Sequence, residues 1–161
     1  MVDDVEVPVE PVVSVESDWF VDVYRSQWEG MVRLAFVMVG DLAVAEELVQ
    51  DAFARVYRAR ASVREPLPYV RSAVYNACRN YHRGERTRRS TPMHRDSDAS
   101  PAGDHVIDVI RRLPARQRGL VVLRYYAGLT DAEIAATTGL PLGTVKSTLH
   151  RTLVELRKEL S

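Results

Sequence analysis

TDAEIAATTGLPLGTVKSTLHRTL, residues 130–153, reads as two helices with a tight turn between them. Thr130 with Glu133 three residues on is a capping box, in which hydroxyl and carboxylate each accept a backbone N–H, so a helix begins there. Ile134, Ala135 and Thr138 give that helix a packing stripe. Gly139 follows, where a left-handed C-terminal residue is wanted, and Pro141 suits entry to a second helix. In the second helix Val145, Leu149, Leu153, Leu156 and Leu160 fall on one face. Thr144, Ser147 and Arg151 point roughly the other way, with Lys146, His150 and Lys158 beside them. Small polar side chains near a helix N-terminus suit base edges, and flanking cations suit phosphates. The stretch therefore predicts a helix-turn-helix that reads a major groove through Thr144, Lys146, Ser147, His150 and Arg151. The competing reading is a helical hairpin with a solvated outer face; agreement of cap, turn and face favours DNA.

The chain of 161 residues has room for one ordinary domain or two small ones. No apolar run is long enough to span a bilayer, so no membrane insertion is expected. The start, MVDDVEVPVE, is acidic and broken by proline, unlike a signal peptide, and a cytoplasmic location is expected. Cys78 stands alone, which excludes an internal disulfide. His82, His94, His105 and His150 lack partners at ligand spacing, so neither a metal nor another cofactor is expected. Lys and Arg number 22 against 22 Asp and Glu, a balance that argues against nucleic acid until the distribution is followed. Asp3, Asp4, Glu6, Glu10, Glu16, Asp18 and Asp22 crowd the start. Arg71, Arg79, Arg83, Arg86, Arg88 and Arg89 crowd the middle, opposed chiefly by Glu85. A local basic stripe is what phosphate meets, not the sum over the chain.

Periodicity and breakers predict an all-α protein of two small helical domains joined by a flexible linker. The expected layout is an acidic disordered tail (1–16), a first domain (17–89), a linker (90–103) and a second domain with the helix-turn-helix (104–161). Trp19, Phe20, Val23, Tyr24, Trp28, Met31, Val32, Ala35 and Phe36 form a broad apolar band on a helix over 18–39, which must pack on other helices. Gly40-Asp41 breaks that helix and caps the next, over 42–60. There Ala45, Leu48, Val49, Ala52, Phe53 and Val56 are the buried stripe, and Glu46, Glu47, Gln50, Asp51 and Arg55 stay outside.

Pro66 and Pro68 read as a break, with a helix from about 69 to 83 after it. On that helix Val70, Ala73, Val74, Ala77 and Tyr81 can face the bundle, while Arg71, Tyr75, Asn76, Arg79, Asn80 and Arg83 can face outwards. Cations interleaved with Tyr and Asn supply what single-stranded nucleic acid needs: phosphate neutralisation, ring stacking and amides that reach base edges. A solubilising Arg-rich surface is equally compatible with composition alone. Beyond STPMHRDSDASPAG, which reads as linker, Val106, Ile107, Ile110 and Leu113 make a short amphipathic helix. Pro114 opens the next, which runs towards Gly128.

GDLAVAEELVQDAFARVYRA resembles the second conserved region of bacterial sigma factors, through Glu46, Glu47, Leu48, Val49, Gln50, Asp51 and Phe53. The resemblance implies that Asp41, Glu46, Glu47, Gln50 and Asp51 lie on a side that contacts core RNA polymerase, and that Leu48 and Phe53 hold the helix in its bundle. PYVRSAVYNACRNYHRGERTRR resembles the segment that melts and reads the promoter −10 element. This implies DNA-binding roles for Arg71, Tyr75, Asn76, Arg79, Asn80, Arg83, Arg86 and Arg88. Asn80 stands where most relatives carry Asp, and His82 where they carry an apolar residue. Residues 113–160 resemble the fourth region, which reads the −35 element, through Leu113-Pro114, Leu123-Arg124-Tyr125-Tyr126 and Gly143-Thr144-Val145-Lys146-Ser147. Gly119 departs from the acidic or larger residue usual there, and Thr148 replaces an arginine, implying one lost phosphate or base contact. The order and spacing of the two halves are those of the extracytoplasmic-function type. The resemblance implies core RNA polymerase and promoter DNA as partners, and regulation by an anti-sigma factor.

The rival of another class is a helix-turn-helix regulator that acts without replacing the sigma subunit. It would leave Gln50-Asp51 and the Arg/Tyr/Asn helix unexplained, and nothing alternates strand and helix as an attached receiver domain would. An enzyme is not indicated: no Gly-rich phosphate loop or nucleophile with its base is present.

Overall fold

The computed structural model describes residues 19–88 and 105–161, with side chains described as far as residue 85 in the first segment. The expected tail (1–16) and linker (90–103) lie outside the described residues. Those described contain seven α-helices and no strand. The first three are α1 (Trp19–Val39), α2 (Leu42–Ala59) and α3 (Pro66–Arg88), with a 3₁₀ turn at Arg60–Ser62. The last four are α4 (His105–Arg112), α5 (Ala115–Tyr125), α6 (Asp131–Thr138) and α7 (Leu142–Leu160).

Helices α1–α3 pack on one another. Gly40, at φ +80°, turns the chain out of α1, and the Asp41 carboxylate accepts the Val44 N–H at 3.1 Å to start α2. Leu34, Val37, Val49, Val56, Val70 and Val74 fill the centre. Each such side chain contributes ~1.5–3 kcal/mol on burial. Phe53 sits 2% exposed, and the rings of Phe20, Tyr24 and Trp28 close around it at 6.0, 5.0 and 6.2 Å. The aromatic band of α1 is thus core and its cover.

Helix α3 starts at Pro66, three residues before the position expected from the prolines. Pro66 and Pro68 both fall in its first turn. N–H groups there have no intrahelical partner to lose, so proline costs little.

Helices α5, α6 and α7 form the second cluster, with α4 against α7. The Thr130 hydroxyl accepts the Glu133 N–H at 3.2 Å, and the Glu133 carboxylate accepts the Thr130 N–H at 2.7 Å. Gly139 closes α6 at φ +73°. Leu120, Leu123, Ile134 and Val145 are the buried centre. The two clusters touch: α1 packs on α4 and α5, and their buried residues join into one continuous apolar core.

Candidate nucleic-acid interface

Three surfaces carry the residues singled out by sequence. On α2, Glu46, Glu47, Gln50 and Asp51 are all exposed, and Glu46/Gln50 and Glu47/Asp51 each stand one turn apart. Asp41 is half-buried because its carboxylate caps α2. Leu48 is half-buried against the core.

On α7, Lys146, Ser147, His150 and Arg151 are exposed and Thr144 is half-buried. Arg151 Nε donates to the Ser147 carbonyl at 3.4 Å, which folds its stem along the helix. Thr148 is buried. At 8% exposure it lies beneath this face, not on it. Thr152, 0% exposed, lies one turn on and donates to the Thr148 carbonyl at 2.8 Å. Both threonines widen the buried stripe, a role that the leucine spacing alone did not reveal.

On α3 the expected outward face splits. Asn76, Arg79, Asn80 and Arg83 are exposed. Arg86 and Arg88 fall in the last turn, and their side chains lie outside the described part. Tyr75 is turned in, not out: it is 6% exposed, and its hydroxyl would lie 3.1 Å from a Cβ placed at Gly119 of α5. Burial raises the Tyr75 phenol above its ordinary value, against the opposing charge of Arg79. Arg71 is half-buried, its Nε without a partner among the described residues. It lies near enough to Glu133 to help hold that carboxyl low, after the larger effect of the Thr130 hydrogen bonds. Between them, Ser72 Oγ stands 3.4 Å from Thr137 Oγ1 of α6.

The second cluster also caps the first. Arg118 donates to the Met38 carbonyl at 2.8 Å and to the Leu113 carbonyl at 3.1 Å. His82 Nε2–H donates to the same Met38 carbonyl at 2.7 Å. Arg111 reaches the Gly40 carbonyl at 3.5 Å and lies over the Phe36 ring at 5.6 Å. α1 has no basic residue in its own last turn, so Arg118 and Arg111 supply the positive charge that a helix C-terminus favours. Burial, with Arg111 close by, lowers the Arg118 guanidinium below its ordinary range. Beside this contact Arg79, His82, Arg83 and Arg116 line a cleft with Met38, Tyr75 and Leu140.

Residues 24–88 match the family Sigma-70 region 2, and residues 105–156 match Sigma-70, region 4. The RNA polymerase sigma-E factor of Streptomyces coelicolor is 30% identical over 151 residues, covering 88% of this chain and 85% of that protein. The ECF RNA polymerase sigma factor RpoE of Cereibacter sphaeroides is 32% identical, covering 73% and 72%. The chain belongs to the ECF family of RNA polymerase sigma factors. Directing promoter-specific transcription is therefore its function. Among solved structures, the sigma factor RpoE from Bartonella quintana, in complex with the anti-sigma factor NepR, superposes with a TM-score of 0.74 at 19% identity, over 89% of this chain and 97% of that one. CnrH, in complex with the cytosolic domain of CnrY, gives 0.64 at 18% identity, over 88% and 86%. At those identities the likeness establishes a shared fold. The sigma assignment accounts for α2 and α3, which a stand-alone regulator leaves without a purpose. No helix among the described residues is long and apolar enough to cross a membrane.

Proposed function

We propose that this sigma factor docks on core RNA polymerase through the exposed side of α2, with Glu46, Glu47, Gln50 and Asp51 in contact and Asp41 setting where that helix starts. The α3 face engages the −10 element. Arg71, Arg79, Arg83, Arg86 and Arg88 neutralise phosphate, and Asn76 and Asn80 meet base edges, while Tyr75, buried against Gly119, supports the face from beneath. The N-terminal half of α7 enters the −35 major groove with Thr144, Lys146, Ser147, His150 and Arg151. Bond formation is left to the polymerase, so the chain needs no catalytic centre or cofactor, and it acts in the cytoplasm. In this reading residues 17–89 form the first domain and 104–161 the second, with residues 90–103 as the tether between them. The Bartonella quintana RpoE is held in complex with an anti-sigma factor, and we extend that kind of partner to this chain.

The observation that carries the reading is the exposed Glu46–Glu47–Gln50–Asp51 patch on a helix whose Ala45, Val49, Ala52, Phe53 and Val56 are all buried. A polar patch braced so rigidly suits a partner that reads its charge. The test is binding of the fluorescently labelled full chain to core polymerase by anisotropy. Q50K/D51K should weaken core binding and leave the binding of −35 duplex intact. Unchanged core affinity would remove α2 from the docking surface; loss of both activities would mean that the variant misfolds.

A further inference from the structure

A cleft of about 570 Å³ opens where the two helical clusters meet, a size that small-molecule sites commonly have. The first domain contributes Met38, Arg79 and Arg83 to its wall, and the second contributes Ala115, Arg116 and Leu140. Arg79 and Arg83 are shared with the exposed face of α3. Met38, Arg116 and Leu140 belong to neither promoter-reading surface.

The cations come from two helices. Arg79 and Arg83 stand one turn apart on α3, where like charges cost a helix stability. Arg116 joins them from the first turn of α5. His82 gives its Nε2 to the Met38 carbonyl at 2.7 Å, so it serves the wall more than the charge. Among the described residues no carboxylate lines the cleft. No side chain caps α5, so its first-turn N–H groups, at Ala115 and Arg116, add to the attraction for an anion.

The rest of the lining has the opposite chemistry. Met38, Tyr75 and Leu140 make an apolar floor. Tyr75 is 6% exposed and seated against Gly119, so that floor is formed before any ligand arrives. A bare phosphate would satisfy the arginines and leave the floor uncovered. An uncharged ring compound would cover the floor and leave three guanidinium groups without an anion. A molecule that joins an organic body to several phosphates matches both halves.

We propose that this cleft binds a nucleotide-sized organic polyphosphate, with Arg79, Arg83 and Arg116 on its phosphates and Met38, Tyr75 and Leu140 against its ring system. Guanidinium groups suit the task, because their rigid fork pairs with phosphate oxygens two at a time. The site needs both domains, since neither alone supplies all three cations. It does not rest on the −10 reading of α3.

Calorimetric titration of the full chain with GTP and with ATP, in buffer free of magnesium and phosphate, tests the site. At least one of the two should bind saturably, one to one. R116A should weaken that binding roughly tenfold, whereas R33A, at an exposed arginine of α1 outside the cleft, should leave it unchanged. A115W should abolish binding by filling the cleft while every charge stays in place; circular dichroism reports whether its helices survive, and R116A decides if they do not. The matching nucleoside and inorganic tripolyphosphate should each bind at least roughly tenfold more weakly, because each uses one half of the lining. No binding of either nucleotide at about 1 mM would overturn the proposal. So would equal losses in R33A and R116A, which mark diffuse charge attraction, or undiminished binding by a folded A115W. Tripolyphosphate binding as tight as the nucleotide's would leave the floor unused and overturn the ligand class. Tighter binding of a hexaglutamate peptide would make the cleft a seat for an acidic protein segment and overturn it as well.

Discussion

Gly119 and Tyr75, 44 positions apart and in different domains, occupy one site: a Cβ at Gly119 would stand 3.1 Å from the Tyr75 hydroxyl and 3.2 Å from its ring. A glycine inside α5 costs the isolated helix ~1 kcal/mol relative to alanine. The contact with the Tyr75 ring is what that loss permits. In urea unfolding, G119A should therefore fail to stabilise the parent chain. In a Y75L background the same substitution should gain ~1 kcal/mol, a coupling within the ~0.5–3 kcal/mol range of touching residues. Equal effects in both backgrounds would show that Tyr75 does not sit there.

His82 makes a related point. The resemblance marked it and Gly119 as departures from the sigma-factor pattern, and each makes a specific contact: His82 with Met38 inside the first domain, Gly119 with Tyr75 across the two. The helices themselves were legible because their signals are local. The Thr130–Glu133 box, Gly139 and the Asp41 cap each act within four residues. The start of α3 was misplaced because a proline that ends one helix is also a good first-turn residue of the next. The burial of Tyr75 was illegible for a different reason. Its cover comes from another domain, and no periodicity within α3 registers that. The burial of Thr148 and Thr152 was not legible from the leucine stripe of α7, because short threonines pack beside it.

Glu133 predicts an acid dependence. The Thr130 backbone and hydroxyl hold its carboxyl below the ordinary value of 4.5. A depressed carboxyl adds stability above its unfolded value, and that stability is lost as pH falls through the folded value. The urea midpoint of the parent chain should thus exceed that of E133Q at about pH 6 and converge on it at about pH 3. A pH-independent difference would mean that the charge of Glu133 plays no part.

Cys78 predicts an alkaline one. Burial pushes its thiol from 9.0 up to about 12. A raised value means that the stability it lends is present below the unfolded value and lost as pH climbs from there through the folded one. Tyr75, also raised, adds to the same slope. C78A should reduce, without abolishing, the loss of stability above about pH 9. In the native chain Cys78 should resist a disulfide labelling reagent and react once urea unfolds it; fast native labelling would place the thiol at the surface.

On α7 Arg151 is exposed and Thr148, one turn before it, is buried. R151A should alter −35 base preference by up to ~1–3 kcal/mol if it reads a base. A uniform loss on every sequence would make it a phosphate contact. T148V, which keeps shape beneath the face, should leave −35 preference unchanged in competition binding.

The most direct test is transcription from a random-sequence DNA pool by core polymerase with and without the chain, with start sites mapped. Starts should appear only with the chain, each preceded by two elements at fixed spacing, and the upstream element should change with R151A and the downstream one with N80D. Starts identical to those of core alone, with the chain by itself binding a palindrome, would contradict a bipartite promoter reader.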